Sequence, residues 1–386
     1  MNIKRLYDFL LSENSDDFFR YIEGKDITKI NQIQAIKDKF SQYPVAELLT
    51  LLRLRKNAVK RISGAEDYLF TTKGVEQSSS SQVAQYHAKL FRNVVQLADL
   101  CCGNGIDLLH IAKNKKIVYA VDLSKTALYC SRYNCLINNI KNIEFINGKA
   151  EEFSYQVDGI FIDPDRRPEE RRVINGDDIS PNFSEIINII SKYRNVVVKL
   201  SPVFDYEAAD VPLEHTWEFI SEDRVLKEIL LCTGDFATPN KNRKAVLLPD
   251  TTFFSNQKEV EITPIRTYVH DPDPAIIRAG LVQDLAYKLK ASLINKHLSI
   301  ITTETPVNSH FLKSYKVLEF FHYNKKSLQK YIKENNIGDL VIKVRGFPDR
   351  PNQILQKLKL KGCNKALIYL IRMDNEFLCL ILSNVL

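Results

Sequence analysis

Asp99-Leu-Cys-Cys-Gly-Asn-Gly105 sets an acid four residues ahead of the first of two closely spaced glycines. Glycines permit a sharp turn and a close backbone approach to a ligand, where a Cβ would clash. Asp122 ends the next apolar run, Ile117 to Val121. A carboxylate there is placed to accept hydrogen bonds from ribose hydroxyls. Dinucleotide loops read G-x-G-x-x-G and turn a helix N-terminus toward a pyrophosphate. Here Leu108 stands where the third glycine would be, and Asp99 leads the loop. An acid at the mouth suits a nucleoside ligand that carries cationic groups and no phosphate. Cys101 and Cys102, inside the loop, read as packing and backbone-contact residues.

S-adenosylmethionine, with its sulfonium and ammonium, is such a ligand. A methyl acceptor then needs a second group of residues. Asp163-Pro-Asp-Arg-Arg167 follows another apolar run. An acid there can accept an N–H bond from an amine, aim its lone pair and hold the reacting atoms in line. Enzymes that methylate exocyclic amines carry Asp or Asn, two prolines and an aromatic at this point. Asp165 replaces the second proline and Arg166 the aromatic. A guanidinium plane stacks on a base or grips a phosphate, so Arg166 and Arg167 are expected near a nucleic acid. Lys199 ends a further apolar run, either positioning substrate or paired with Asp163 or Asp165. Lys149 fills the slot where an acid would meet an adenine amine, leaving that contact to backbone or to Glu151. The seven histidines show no metal-ligand spacing, so no metal is expected. His110 reads as packing, and His270, Asp271 and Asp273 as members of an acidic, proline-rich turn.

Alternating strands and helices must position these groups. Residues 1 to about 66 show apolar spacing of helical period, as in Ile3, Leu6, Phe9 and Leu10. The polar stretch 68–81, which includes Thr71, Glu76 and Gln77, lies just ahead of the first strand and is expected to cover the ligand. Strands are predicted at 94–100, 117–122, 143–147, 157–162, 195–200, 225–232 and 244–248, with helices between several of them. That pattern predicts a doubly wound α/β sheet with its crevice at the carboxyl ends of the strands. One helix is predicted from Ala275 to about Leu289, and a small α+β pattern from Lys316 onward.

The chain has 386 residues, 45% apolar and 26% charged, with net charge +7. From Lys316 to the end there are 13 Lys and Arg against 6 Asp and Glu, 13 − 6 = +7. The last stretch thus carries the whole excess, an electrostatic footprint for nucleic acid. No apolar run approaches the roughly 20 residues that span a bilayer. Seven scattered cysteines without a C-x-x-C pair argue against disulfides or zinc. A cytoplasmic location is expected, with no membrane partner.

Phe70-Thr-Thr-Lys-Gly-Val-Glu-Gln77, the loop 99–105, Asp163–Arg167, Lys199-Leu-Ser-Pro202, Asp271-Pro-Asp-Pro-Ala-Ile-Ile-Arg-Ala-Gly280, Tyr315-Lys-Val-Leu-Glu319 and Ile342-Lys-Val-Arg-Gly346 occur in that order. This set resembles class I S-adenosylmethionine-dependent methyltransferases with a C-terminal THUMP-like domain. It is more distantly similar to trimethylguanosine synthase-type RNA methyltransferases. The resemblance implies a Rossmann-like methyltransferase domain over 67–256, a ferredoxin-like insert over 257–312 and a THUMP-like α+β domain over 313–386, behind an N-terminal helical domain of 1–66. It implies cofactor contacts from Thr71 and Gln77, from Asp99, Cys101, Gly103 and Gly105, and from Asp122 and Leu123. Ala150, Glu151 and Asp163 complete that set. Asp163, Arg166 and Lys199 are the expected catalytic group, and RNA the expected partner. A base in rRNA or tRNA is the implied target. A small-molecule or protein methyltransferase, or a cofactor-binding RNA module without activity, are the alternatives.

Overall fold

The computed structural model describes residues 1–166 and 176–385. They form two compact units: Met1–Glu222 with Lys227–Asn242, and Asp223–Leu226 with Arg243–Leu386. No helix among the described residues is long and apolar enough to cross a membrane.

Helices α1 (Ile3–Leu10), α2 (Asn14–Ile22), α3 (Ile30–Lys39) and α4 (Val45–Ala58) open the first unit. Asn2 caps α1 by accepting from the Arg5 amide, and helical spacing buries Ile3, Leu6, Phe9 and Leu10. Phe18 meets Phe9 and Phe40 edge to face. Tyr7 of α1 reaches the rings of Tyr129 and Tyr133, so the bundle leans on a helix of the sheet layer. α5 (Thr72–Gln77) and α6 (Ser81–Leu90) then lead into alternation: β1 (Gln96–Leu100), α7 (Ile106–Ile111), β2 (Ile117–Asp122), α8 (Lys125–Ile137), β3 (Ile143–Asn147) and β4 (Gly159–Ile162). A two-residue pairing joins β5 (Asp165–Arg166) to β6 (Ile179–Ser180). α9 (Phe183–Tyr193), β7 (Val196–Leu200), β8 (His215–Glu222) and β9 (Val225–Thr233) follow.

Strand order here is β8-β9-β7-β4-β1-β2-β3. β1 pairs in parallel with β2 and β4, β2 with β3, and β4 with β7, while β9 runs antiparallel to β7. The chain therefore steps outward from β1 to β3 and returns on the other side of β1 at β4. That reversal opens a crevice at the carboxyl ends of β1 and β4. The expected doubly wound α/β fold is present. β8 lies where the sequence pattern predicts no strand. Glu218 and Glu222 interrupt its apolar run, yet both are buried. Tyr86 Oη donates to Glu218 and Ser80 Oγ to Glu222.

In the second unit β10 (Arg243–Leu247) and β11 (Thr251–Phe254) pair as an antiparallel hairpin. After them come β12 (Tyr268–Pro272), α10 (Pro274–Arg278), α11 (Val282–Lys288), β13 (Ser292–Leu293), β14 (Ile301–Thr303), β15 (Leu312–His322), α12 (Lys325–Glu334), β16 (Ile337–Arg345), α13 (Pro351–Gln356), β17 (Asn364–Met373) and β18 (Glu376–Asn384). These strands build a seven-stranded sheet, β13-β14-β12-β15-β18-β17-β16. Alternation splits its faces. Ile368, Leu370 and Ile381 pack under Leu328, Ile332 and Ile354 of the helices. Tyr369, Ile371 and Leu380 face the other way, against Val269 and Tyr315. The single helix predicted over 275–289 is two helices. Gly280, at φ +67, breaks it, because a left-handed residue cannot continue a right-handed helix. Asp273 caps α10, with Pro274 in its first turn.

Candidate active site

The crevice of the first unit is a cavity of about 860 Å³. Its floor is the turn after β1. Cys101 and Gly103 both take left-handed angles, φ 70 and φ 56, and Gly103 faces open space. At Gly105 a Cβ would sit 2.4 Å from Ser131 Oγ and 3.2 Å from Ser131 Cα. Only glycine lets α7 begin this close to α8. The Gly103 amide donates to Asp122 Oδ2 at 2.9 Å, and the Ser124 amide to Oδ1 at 2.7 Å. Asp122 thus ties the loop to the start of α8.

The stretch before the sheet covers this loop. Thr71 Oγ1 accepts from the Gly74 amide at 2.9 Å and starts α5. Gly74 lies so close to the Asn104 side chain that a Cβ would overlap it. Thr71, Gln77, Cys101, Gly103, Asp122, Leu123, Ala150, Glu151 and Asp163 all line the cavity. Leu123 is 69% exposed at its rim. Asp99 and Gly105 do not line it. Gly105 acts through packing. Asp99 is 1% exposed, and among the described residues neither of its carboxylate oxygens has a partner. Burial, with the charges of Asp107, Asp163 and Asp122, holds its pKa well above the usual carboxylate range.

Asp163 follows β4. Lys199 Nζ, from the end of β7, donates to its Oδ2 at 2.7 Å and to Ser79 Oγ at 3.0 Å. Of the two roles expected for Lys199, the ion pair with Asp163 is present. Lys199 also stands 3.7 Å from Asp107 Oδ2. Behind it, His87 Nδ1 meets Asp107 at 2.7 Å and Nε2 meets Glu228 at 2.5 Å. His87 is fully buried. Burial alone would lower its pKa, but Glu228 and Asp107 override that and lift it to about 10. The ring is therefore an imidazolium donating from both nitrogens. Burial would raise Asp107, yet Lys199 and His87 hold it below the ordinary range. Asp163, one-third exposed to the cleft, is lifted by burial to about 6 against the pull of Lys199.

Sequence reasoning missed Ser79, His87, Asp107 and Glu228. They come from α6, its approach, α7 and β9, with no shared motif. The one available signal was an acid within a helix that follows a glycine loop. Arg166 is placed by backbone pairing with Ile179, and Arg167 lies outside the described residues. Asp165 pairs with Lys73 at 2.9 Å near the surface.

Comparison with known proteins agrees with this architecture. Residues 312–383 match the family described as THUMP domain-like, and residues 83–175 the family described as tRNA (Uracil-5-)-methyltransferase. An uncharacterised S-adenosylmethionine-dependent methyltransferase of Mycobacterium tuberculosis is 22% identical over 312 residues, 80% of this chain and 86% of that one. A tRNA/tmRNA (uracil-C(5))-methyltransferase of Proteus mirabilis is 28% identical over 142 residues, 30% of this chain and 38% of its own. A crystal structure from Porphyromonas gingivalis W83, described provisionally as a methyltransferase, superposes with TM-score 0.73 at 20% identity, covering 89% of this chain and 91% of that one. This last likeness bears on the fold.

The residues of the cleft fit S-adenosylmethionine. Asp122, Glu151 and Asp163 give the cavity carboxylates that suit a cation and ribose hydroxyls, and the exposed Leu123 at the rim offers an apolar surface for a flat ring. The open space beside Gly103 leaves room for close approach. Likeness across four-fifths of the chain to an S-adenosylmethionine-dependent methyltransferase, with the match of residues 83–175 to a methyltransferase family and of residues 312–383 to the THUMP domain-like family, makes the protein an S-adenosylmethionine-dependent methyltransferase that carries a THUMP-like domain.

Proposed function

We propose that the protein methylates a base in RNA, with Asp163 receiving the target atom. The observation that carries this reading is the Asp163 carboxylate itself. It follows β4, opens to the cavity, and is paired with Lys199 at 2.7 Å. The likeness over residues 83–175 to tRNA methyltransferases, and the basic THUMP-like region, support RNA as the substrate class.

In this reading Gly103, Asp122 and Leu123 hold the cofactor, with Thr71, Gln77, Cys101, Ala150 and Glu151 around it and Gly105 shaping the turn, while Asp99, expected among the contacts, stays buried outside the cavity lining. When bound, the cofactor supplies a sulfonium methyl as electrophile. Asp163 accepts the N–H of a base nitrogen and aims its lone pair. Lys199 keeps that carboxylate turned to the cleft. Asp107 and Glu228 favour the charged form of Lys199, and His87 holds those two acids in place. Arg166, two residues beyond the Pro that follows Asp163 in sequence, is assigned to the RNA. Methylation at carbon-5 of a uracil would need a thiolate to add to the ring first. Burial raises the thiols of Cys101 and Cys102 well above the usual range, which favours a nitrogen acceptor.

The test is incubation with labelled S-adenosylmethionine and RNA from a strain lacking the gene, followed by mass spectrometry of the nucleosides. A nitrogen-methylated nucleoside is expected. Label entering only protein or metabolites would sink the RNA reading, and a 5-methyluridine product would sink the nitrogen assignment.

A further inference from the structure

Three motifs of the sequence take no part in the cleft: the turn at Asp271, Tyr315–Glu319 and Ile342–Gly346. Within the second unit they converge. Asp271 belongs to β12 and is 7% exposed. Lys343 and Arg345 belong to β16, four places away in the strand order, so the sheet curls until these strands face each other. Lys343 Nζ donates to Asp271 Oδ2, and Arg345 Nη2 donates to Oδ1 at 2.7 Å. Arg224 Nη2 lies 3.8 Å from Oδ2 and donates to the carbonyls of Asp271 and Pro272 at 2.9 and 3.2 Å. Two tyrosines complete the frame. Tyr315 Oη accepts from Lys343 at 2.9 Å, and Tyr369 Oη from Arg345 Nε at 3.2 Å. Strand register sets the exposed Lys313 opposite Asp271.

Charge here does not balance. Arg224, Lys343 and Arg345 bring three positive charges to one carboxylate, and Lys313 adds a fourth on the neighbouring strand. Lys343, Arg345 and Arg224 keep 28%, 31% and 35% of their side chains exposed. An arginine has five N–H donors and a lysine three, and the contacts above use only some of them. Asp271 holds the cationic heads at fixed positions, so an incoming anion does not pay to order them. Arginine forks beside a lysine match the oxygens of a phosphate.

We propose that Arg224, Lys343 and Arg345, positioned by Asp271, form a phosphate-binding site that grips a nucleic-acid backbone. The phosphate site stands on this unit's own geometry, and the choice of nucleic acid rests on the RNA reading above. Two measurements on the full chain test it: binding of a fluorescein-labelled single-stranded RNA oligonucleotide across a salt series, and thermal stabilisation by inorganic phosphate. Lys343→Gln and Arg345→Gln should each weaken RNA binding about tenfold and reduce the log–log salt slope by about 0.7. Asp271→Asn removes the competing charge and keeps the shape, so it should tighten binding. A merely structural ion pair predicts lower stability with no tightening. Lys313→Gln, an exposed change, reads the slope where the buried variants unfold. If the wild type binds RNA and every variant binds alike, the site is overturned while the RNA reading stands. Phosphate stabilisation that Lys343→Gln and Arg345→Gln abolish, with no RNA binding by the wild type, keeps the site and removes RNA as its ligand. Neither binding would overturn the proposal.

Discussion

Among the described residues lining the cleft of the first unit, eight acids stand with five cations; at the Asp271 cluster of the second unit three cations, Arg224, Lys343 and Arg345, meet one acid. The two regions also differ in depth. His87, Glu228, Asp107 and Lys199 have side chains between 0% and 12% exposed, whereas Lys343, Arg345 and Arg224 are about one-third exposed. Deep charges lose their hydration and persist only through partners. Half-exposed charges stay hydrated, and salt screens them. An acid-rich, enclosed cleft suits a cationic nucleoside, and a base-rich, open cluster suits a polyanion. On the proposed function, one chain carries an attraction for each of its two ligands.

The most severe way to break the contrast is to remove the centre of the buried network. His87→Ala leaves Asp107 and Glu228 without their shared cation. It should cost about 3–5 kcal/mol of stability, read by urea unfolding. A cost near zero would mean that His87 is not a paired imidazolium. Asp163→Asn keeps the shape and removes the charge. Methyl transfer should fall about 100-fold or more, while calorimetry shows cofactor binding retained. Unchanged transfer would remove Asp163 from the reaction.

A pH series sharpens the comparison. His87 has a folded pKa of about 10, above the roughly 6.5 of an unfolded histidine. Its contribution is complete below that unfolded value and is lost as pH rises toward 10. For Asp271, burial would raise the pKa, but Lys343, Arg345 and Arg224 hold it below the ordinary range. Its contribution is present above an unfolded value of about 3.9 and is lost as pH falls below it. Alkali should therefore weaken the first unit and leave the Asp271 cluster intact, whereas acid should weaken both, because Asp107 is also held below the ordinary range. Trp217 is the chain's one tryptophan and sits in β8, so its fluorescence follows the first unit, and hydrogen exchange follows the second. Alkaline loss of the second unit ahead of the first would refute the charge assignments. The smallest effect concerns Gly280, where φ is +67 and a Cβ would meet Arg243 Nη1 at 2.6 Å. Gly280→Ala should destabilise by about 1–2 kcal/mol. No loss would show that the break between α10 and α11 does not depend on glycine.

Local pattern carried much of this protein. The glycine turn, the acid at the end of β2, the acid after β4 and the lysine at the end of β7 all stand at strand ends, which apolar runs mark well. Because α/β topology brings such ends to one edge, their meeting was legible too. β8 was not, since its buried glutamates read as surface until Ser80 and Tyr86 supply partners from α6 and its approach. The break at Gly280 was hidden in the same way, under an apolar spacing that continues across it.

The sequence by itself determined the strand ends, the left-handed turn and the basic excess after Lys316, because composition and short-range sterics decide those. Only the tertiary structure decided which charges share a buried site. Ser79, His87, Asp107 and Glu228 come from four separate segments, and Arg224 and Asp271 lie far from Lys343 and Arg345 in the chain. A Coulomb interaction depends on distance and burial, and neither quantity exists until the sheets have curled and closed.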